Sequence, residues 1–342
     1  MRDDEFYMSK CIEIAKKGMQ NTSPNPMVGC VIVNNDNIIG EGYHKKFGEE
    51  HAEVNAINNV KDKKKLLNST LYVNLEPCSH HGKTPPCVDL IIKYNIPRIV
   101  IGSIDPFNKV NGSGINKLKE NNKDIVLGIL ESECNNLNKR FFTYHQKKRP
   151  YIILKWAKSI DGFIAPIEHD TPFWMTNKNS KKIAHAWRAE EDAIMIGRKT
   201  AEKDNPLLTT REVIGKNPIR IIIDKDLKLP DTLNIYNGEA KTIVFNKIRN
   251  ETIQNINYIK INFDSSITNI MHELYKKNIL SVMIEGGSKT IQNFIQLNLW
   301  DEARIFKTKK KIKNGIQSPK ITGKIIDIQN IMDDVLSIVK PR

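Results

Sequence analysis

One histidine and two cysteines constrain this chain more than any other feature, because their pattern matches a zinc site. His51 is followed by Ala52 and Glu53, and each cysteine follows a proline, in Pro77-Cys78 and Pro86-Cys87. One imidazole and two thiolates supply three of the four ligands of a tetrahedral Zn²⁺ and leave the fourth position for water. The fold must therefore bring together residues that lie far apart in the sequence.

Glu53 lies two residues after His51, where a carboxylate can carry a proton from the water to a departing amine. Zinc with an open position lowers the pKa of its water from about 15.7 to about 7. The arrangement H-x-E with P-C-x-x-C is typical of zinc-dependent deaminases. Here the cysteines are spaced C-x8-C, and we interpret the longer loop as one built around a substrate. Its two histidines, His80 and His81, are expected to be loop residues.

The length of 342 residues exceeds what one hydrophobic core usually covers, so two domains are expected. An apolar content of 39% and a charged content of 27% indicate a folded globular protein. The stretch 146–150 is polar, basic and ends in proline, which makes it the best linker candidate. We place a zinc-dependent deaminase domain at 1–146 and a second domain, a reductase by the resemblance described below, at 150–342.

Strands alternate with helical stretches in both halves, which predicts two α/β domains. The strands predicted in the first half are 28–33, 38–43, 70–75, 98–101 and 125–128, with helices at 3–17, 52–60 and 85–92. The strands predicted in the second half are 151–157, 193–196, 220–224, 242–245, 258–261 and 281–284, with helices at 180–189 and 266–276.

The formal net charge of +14 raises the question of a nucleic-acid partner. The lysines are spread along the whole chain, which argues against a binding face, so we expect no nucleic acid. A basic protein also attracts phosphorylated small molecules. The densest run consists of Lys307, Lys309, Lys310, Lys311 and Lys313.

The five cysteines are expected to be reduced thiols, since no export signal accompanies them. The acidic start lacks the pattern of a signal peptide. Apolar runs fall short of the roughly 20 residues that span a bilayer. We therefore expect a cytoplasmic protein with no membrane segment.

The segments 24–33, 42–44 and 51–53 and the loop PCSHHGKTPPC closely resemble the bifunctional deaminase/reductase family of riboflavin biosynthesis. The resemblance covers nearly the whole chain. It implies a cytidine-deaminase-like α/β/α sandwich followed by a dihydrofolate-reductase-like α/β domain. It also implies hydrolysis of the 2-amino group of 2,5-diamino-6-ribosylamino-4(3H)-pyrimidinone 5′-phosphate, then NADPH-dependent reduction of ribosyl to ribityl. Family members associate through the second domain, so a homo-oligomer is expected.

In the first domain the resemblance implies that Asn25, His44 and Lys83 line the substrate pocket. An amide can read a pyrimidine edge, and two potential cations suit a ribose and a phosphate. Two simpler alternatives stay open: Asn25 holds the loop between two prolines, and Lys83 is only solvated.

In the second domain the segments KWAKSIDG, FWMT, RAE, GRKT and DNPLLTTR match the family in order. A glycine turn, Glu285-Gly286-Gly287-Ser288, follows a predicted strand and lets the backbone approach a phosphate, although it is not a Rossmann fingerprint. The resemblance implies NADPH contacts at Lys158, Trp174, Thr200, Asp204 and Gly287. It implies substrate contacts at Arg188, Leu208, Arg211 and Glu285.

The chemistry of these residues leaves some choices open. Arg188 and Arg211 suit bidentate phosphate binding, although Arg188 could also be a surface arginine of a helix. Trp174 could equally belong to the core. Lys155 is a candidate for polarising or protonating the sugar.

Several positions depart from the family pattern. Phe107 stands where an asparagine usually contacts substrate, and Asn108 could take over part of that role. Lys158 replaces a small residue, Pro172 replaces a serine, and the lysine-rich last 40 residues match only loosely. The zinc residues are intact, so a live deaminase joined to a decayed reductase is one alternative. Another is a nucleoside or tRNA-base deaminase with an unrelated second domain, which would favour C-x-x-C.

Overall fold

The computed structural model describes residues 3–81, 85–107, 110–167 and 173–342. They form two compact units, Met1–Lys148 and Arg149–Arg342, so the division falls inside the stretch 146–150. Lys83, Asn108 and Pro172, which the sequence singles out, lie outside the described residues.

The first unit is built on a five-stranded sheet with the order β2-β1-β3-β4-β5. β1 runs antiparallel to β2 and β3, whereas β3, β4 and β5 are parallel. The predicted strands agree with these to within two residues at either end. Their bounds are β1 Gly29–Asn34, β2 Asn37–Tyr43, β3 Thr70–Val73, β4 Arg98–Ile101 and β5 Asp124–Leu127.

Helices cover both faces of this sheet. They are α1 Asp4–Ala15, α2 Ala52–Asn59, α3 Cys87–Lys93, α4 Ser113–Glu120, α5 Glu131–Leu137 and α6 Lys139–Lys147. Alternation along β1 sends Cys30 and Ile32 into the core beneath α2, α3 and α4. The same alternation sends Val31 and Val33 into the core beneath α1 and α5. The predicted α/β/α sandwich is therefore confirmed.

The second unit is built on a ten-stranded sheet with the order β11-β12-β10-β9-β8-β13-β6-β14-β17-β16. The seven strands from β12 to β14 in this order are parallel, and β11, β17 and β16 are antiparallel to their neighbours. A separate ribbon pairs β7 with β15. The bounds are β6 Tyr151–Lys158, β7 Phe163–Pro166, β8 Ala193–Gly197, β9 Ile219–Ile223, β10 Thr242–Asn246, β11 Glu251–Ile253, β12 Ile256–Lys260, β13 Ser281–Ile284, β14 Glu302–Lys307, β15 Gly315–Gln317, β16 Lys324–Ile331 and β17 Asp334–Lys340.

Helices also cover both faces of the second sheet, which confirms a second α/β domain. They are α7 Lys178–Glu190, α8 Arg198–Asp204, α9 Ser266–Lys276 and α10 Ser288–Gln296. Ile152 and Leu154 of β6 join the core that α9 and α10 cover. Tyr151 and Ile153 point to the opposite core, which includes Ala201 of α8. None of the helices in the described part of the chain is long and apolar enough to cross a membrane.

The last 40 residues contain β15, β16 and β17, which the sequence analysis does not predict. β16 is an edge strand with almost every side chain exposed, including Ile325 and Ile328 at 55% and 60%. A strand with no buried face has no reason to alternate apolar and polar residues, so periodicity cannot reveal it. β17 and β16 thus complete one end of the ten-stranded sheet in the region that matches the family only loosely.

Gly42 lets β2 and α2 touch through their backbones. A Cβ atom at position 42 would lie 2.3 Å from the nitrogen of Ala56 and 2.5 Å from the carbonyl oxygen of Ala52. No side chain fits at these distances, so glycine is required for the approach. Since α2 begins directly after His51, this contact fixes where the histidine lies.

We predict that Gly42→Ala lowers the free energy of unfolding by about 2–3 kcal/mol and weakens zinc binding, because α2 must move away from β2. The control is Gly128→Ala, at a position with φ +85 and its nearest atom 4.0 Å away. That change carries only backbone strain of about 1–2 kcal/mol and leaves zinc in place. Urea titration measures the free energy of unfolding, and zinc analysis measures the metal content. Equal zinc contents in Gly42→Ala and Gly128→Ala would contradict the prediction.

Candidate active sites

The three predicted zinc ligands converge in the first unit. Nδ1 of His51 lies 3.5 Å from Sγ of Cys78 and 3.4 Å from Sγ of Cys87. All three ligand atoms lie within 4.8 Å of one another. Tetrahedral zinc with bonds of about 2.1 Å to nitrogen and 2.3 Å to sulfur separates these atoms by roughly 3.6 Å. The three residues therefore fit one zinc ion.

The local structure explains how the ligands meet. His51 is the extended residue before α2, Cys87 is the first residue of α3, and Cys78 lies in the loop that follows β3. The backbone N–H of Cys87 donates to Sγ of Cys78 at 3.4 Å. The Cys87 thiol lowers the pKa of Cys78 to about 4, burial opposes this shift, and His51 adds to it. The same contact raises the pKa of Cys87, so the pair favours a thiolate, the form that binds zinc, at one of its two sulfur atoms.

Glu53 lies in the first turn of α2, and its side chain is buried. Burial raises the pKa of this carboxyl to about 7, although the charge of His51 acts in the opposite direction. The Cys87 thiol also contributes a hydrogen bond that favours the carboxylate. A buried carboxyl beside the ligand group has the position that proton transfer at this site requires.

Asn25 and His44 are joined in a short relay. Nδ2 of Asn25 lies 3.1 Å from Nε2 of His44, and Nδ1 of His44 lies 3.1 Å from the carbonyl oxygen of Glu50. A carbonyl oxygen only accepts, so Nδ1 carries the proton and Nε2 accepts from the Asn25 amide. Burial lowers the pKa of His44, so the structure favours the neutral ring of this residue, which the sequence offers as a potential cation. The relay leaves Oδ1 of Asn25 as an acceptor.

Glu76 is a residue that the sequence analysis missed. Its buried carboxylate accepts backbone N–H groups from Asp105 at 3.2 Å, Gly112 at 2.9 Å and Gly114 at 3.0 Å. These bonds tie the segment before α4 to the position two residues before Cys78. The sequence signal for Glu76 was its position between a buried strand and Pro77-Cys78. Its hydrogen-bond partners lie about 30 or more residues further along the chain, so the sequence alone does not reveal them.

Phe107 joins an aromatic group rather than making the polar contact usual in the family. Its ring centroid lies 5.8 Å from that of His80 and 4.9 Å from that of His145. The His145 ring in turn lies 4.4 Å from Phe141. Burial, with Lys148 nearby, lowers the pKa of His145 to about 4. The imidazole is therefore neutral and packs like an aromatic hydrocarbon.

The His145 pKa predicts a pH-dependent loss of stability. The folded-state pKa of about 4 lies below the ordinary 6.5, so the unfolded chain binds more protons as the pH falls through this interval. The stabilisation is complete above pH 6.5 and is lost progressively toward pH 4. His145→Phe should lose less stability than wild type over that range in urea titrations, by an amount that solvent screening reduces because the ring is only partly buried, and parallel curves would contradict this.

The second unit holds a buried cluster of charges. Nε and Nη2 of Arg188 donate to the two carboxylate oxygens of Glu285 at 2.9 and 2.7 Å. Nζ of Lys155 lies 3.8 Å from the same carboxylate. Burial opposes ionisation of Glu285, but Arg188 and Lys155 outweigh it and lower its pKa to about 2. Arg188 is thus a bidentate partner of Glu285 and not a surface arginine.

The predicted substrate residues Leu208 and Arg211 belong to one segment beside this cluster. Nη1 of Arg188 donates to the carbonyl oxygen of Thr209 at 3.4 Å, and Nη1 of Arg211 donates to Oγ1 of Thr209 at 2.9 Å. Leu208 is buried with φ +54, a left-handed conformation that costs a leucine free energy. The structure therefore brings Arg188, Leu208, Arg211 and Glu285 into one region.

The glycine turn lies between β13 and α10, as predicted. A Cβ at Gly286 would lie 2.5 Å from Cβ of Ile196, so β8 leaves no room for a side chain. Gly287 has φ +56, and Oγ1 of Thr200 would lie 3.1 Å from a Cβ placed there. Two predicted cofactor residues, Thr200 and Gly287, are therefore neighbours. Asp204 is the last residue of the same helix, α8.

The lysine run is part of the ordered structure near Trp174. Nζ of Lys310 donates to the carbonyl oxygen of Trp174 at 2.6 Å, and Nζ of Lys181 lies 4.6 Å from the centre of its ring. Trp174 is 53% exposed, so it is not a core residue. Lys158 ends β6 opposite Lys307 of β14, at the start of the same run.

Family descriptions match both units. Residues 1–103 match the cytidine and deoxycytidylate deaminase zinc-binding region, and residues 150–308 match the RibD C-terminal domain. The riboflavin biosynthesis protein RibD of Aquifex aeolicus is 39% identical over 319 residues, 92% of this chain and 89% of its own length. The riboflavin biosynthesis protein RibD of Escherichia coli is 34% identical over 321 residues, 89% of this chain and 87% of its own length.

Solved structures match over both units as well. A Thermotoga maritima diaminohydroxyphosphoribosylaminopyrimidine deaminase/5-amino-6-(5-phosphoribosylamino)uracil reductase is 36% identical, with a TM-score of 0.91 and 99% of each chain covered. Acinetobacter baumannii RibD is 29% identical, with a TM-score of 0.89 and the same coverage.

The two sites and these matches define a class of enzyme in which a zinc-dependent deaminase domain precedes an NADPH-dependent reductase domain. Within that class, the chain belongs to the riboflavin biosynthesis protein RibD family. Because the relatives align across both units, a nucleoside or tRNA-base deaminase with an unrelated second domain is set aside.

Proposed function

We propose that this chain deaminates 2,5-diamino-6-ribosylamino-4(3H)-pyrimidinone 5′-phosphate and then reduces the ribosyl group of the product to ribityl with NADPH. The observation that carries the proposal is the convergence of His51, Cys78 and Cys87 on one point beside the buried Glu53. The Thermotoga maritima relative, named for the two corresponding activities, supports the choice of substrate.

Deamination exchanges an amino group for a carbonyl oxygen. His51, Cys78 and Cys87 would hold a zinc ion, which would supply Lewis-acid activation of water. Water adds to C2 of the pyrimidine and ammonia leaves. Glu53 carries one proton of the attacking water to the departing nitrogen, and the other proton goes to the neighbouring ring nitrogen as C2 becomes a carbonyl. Burial of Glu53 excludes competing solvent from this transfer. No other group is needed to balance the atoms.

Substrate recognition in the first unit follows from the relay described above. His44 holds Nδ2 of Asn25, so Oδ1 of Asn25 can accept an N–H group from the pyrimidine. His44 serves as a neutral ring that borders the pocket, since its centroid lies 5.3 Å from that of His51. Lys83 stays a predicted phosphate contact.

The reductase step takes place in the second unit. Bound NADPH would supply the hydride that reduces C1′ of the sugar, and a proton delivered to the ring oxygen would complete the opening of ribosyl to ribityl. Lys155, buried beside Glu285, is the candidate proton donor. Lys158, Trp174, Thr200, Asp204 and Gly287 bind NADPH in this proposal. Arg188, Leu208, Arg211 and Glu285 bind or shape the substrate site.

The larger organisation of the protein is also a proposal. We assign the deaminase domain to 1–146 and the reductase domain to 150–342. The exposed edge strand β16, with Ile325, Ile326 and Ile328 on its surface, supports association through the reductase domain. The absence of a nucleic-acid partner and a cytoplasmic location stay predictions from the sequence.

Glu53→Gln tests the proton-transfer role. The variant should bind zinc as wild type does but release ammonia at least about 1,000-fold more slowly, because an amide cannot shuttle the proton. NADPH oxidation with the deaminated substrate should not change, since that step belongs to the other unit. Near-normal ammonia release from zinc-loaded Glu53→Gln would refute the mechanism.

Cys87→Ala tests the ligand set. Loss of one of three protein ligands should empty the site after dialysis and abolish ammonia release. Cys134→Ala is the matched control, because Cys134 is equally buried but lies in the opposite core. Zinc analysis should find one ion per chain in the control, and the same content in Cys87→Ala would show that the ligands are different.

A further inference from the structure

His185 is a buried residue of the reductase unit to which the sequence analysis gives no role. It lies on α7, three residues before Arg188, with 1% of its surface exposed. Its two ring nitrogens differ in their surroundings. Nδ1 accepts the backbone N–H of Arg211 at 3.0 Å, whereas Nε2 is buried without a hydrogen-bond partner among the described residues.

These contacts fix the state of the ring. A nitrogen that accepts an N–H carries no proton, so the neutral ring has its proton on Nε2. Burial, together with Arg188 and Arg211, lowers the pKa of His185 to about 4, while Glu285 and Glu212 act in the opposite direction. Nδ1 is therefore available as an acceptor at neutral pH.

The hydrogen bond to Nδ1 anchors a segment that would not hold its conformation by itself. Leu208 in this segment has a left-handed backbone, which persists only where surrounding contacts impose it. Arg188 binds the carbonyl oxygen of Thr209, and His185 binds the main chain of Arg211. Two residues of one helix face thus hold both parts of the segment.

Arg211 is more exposed than Arg188 and has fewer of its guanidinium N–H groups engaged by the protein. Both carboxylate oxygens of Glu285 engage Arg188, whereas the exposed guanidinium of Arg211 donates through Nη1 to Thr209. A guanidinium of this kind suits a phosphate. A leucine in place of His185 would remove the buried, unpaired Nε2–H but would also leave the backbone N–H of Arg211 without its acceptor, so the acceptor is what the histidine contributes.

We propose that His185 is a positioning residue of the reductase: its Nδ1 fixes the main chain of Arg211 so that the guanidinium meets the 5′-phosphate of the substrate. The proposal rests on the proposed function, in which Arg211 binds that phosphate. His185 itself touches neither the sugar nor NADPH in this account.

Two variants of the full-length, zinc-loaded protein separate the acceptor from the bulk of the side chain. In His185→Asn, Oδ1 can take the place of Nδ1, whereas His185→Gln puts its oxygen closer to the place of Nε2. The assay follows NADPH oxidation with the deaminated substrate, with and without its 5′-phosphate. His185→Gln should raise KM for the phosphorylated substrate about tenfold and leave KM for NADPH unchanged. His185→Asn should keep KM for the phosphorylated substrate close to the wild-type value.

Selectivity for the phosphate distinguishes positioning from a general structural role. His185→Gln should hardly affect the substrate that lacks the phosphate, and it should add little to Arg211→Ala, because both remove the same contact. Equal losses on both substrates, or wild-type KM in His185→Gln, would overturn the proposal. If Arg211→Ala leaves the preference for phosphate intact, the proposed function of Arg211 is wrong instead.

Discussion

The deaminase half depends on the approach of two helix starts to the loop that follows β3. His51 precedes α2, Cys87 opens α3, and Cys78 lies in that loop, so any shift of either helix separates the ligands. Gly42 allows β2 to press against α2, and Glu76 ties the segment before α4 to the loop. The positions of the predicted zinc ligands therefore depend on the packing of the whole sandwich.

The reductase half depends on the buried ion pair of Arg188 and Glu285, which is important because it fixes the positions of neighbouring groups. Burying Arg188 and Glu285 costs both groups their hydration, and the bidentate contact offsets that cost rather than adding a large net stability. The pair also fixes the cation of Arg188 beside Lys155. Arg188 in turn binds the carbonyl oxygen of Thr209, in the segment that carries Arg211. The charged side chains of the site are thus held by contacts within the protein itself.

Sequence reasoning succeeded where chemistry or periodicity restricts the choice of residue. The pattern singled out His51, Cys78 and Cys87, and the fold brings their ligand atoms within 4.8 Å of one another, while their role as zinc ligands stays a prediction. Buried strands such as β4 and β13 were recognised as short apolar runs. It failed for β16, which has no buried face, and for Glu76 and His185, whose partners are backbone groups brought near by folding. The sequence leaves His44 as a potential cation, and the burial that lowers its pKa becomes visible only in the fold.

The most direct test of the whole account is to follow ammonia release and NADPH oxidation separately, with purified protein and the diaminopyrimidinone ribosylamine phosphate. Two sites acting in order predict ammonia release with or without NADPH, and NADPH oxidation only after ammonia has appeared. NADPH oxidation without ammonia release, or neither signal from zinc-loaded protein, would contradict the account.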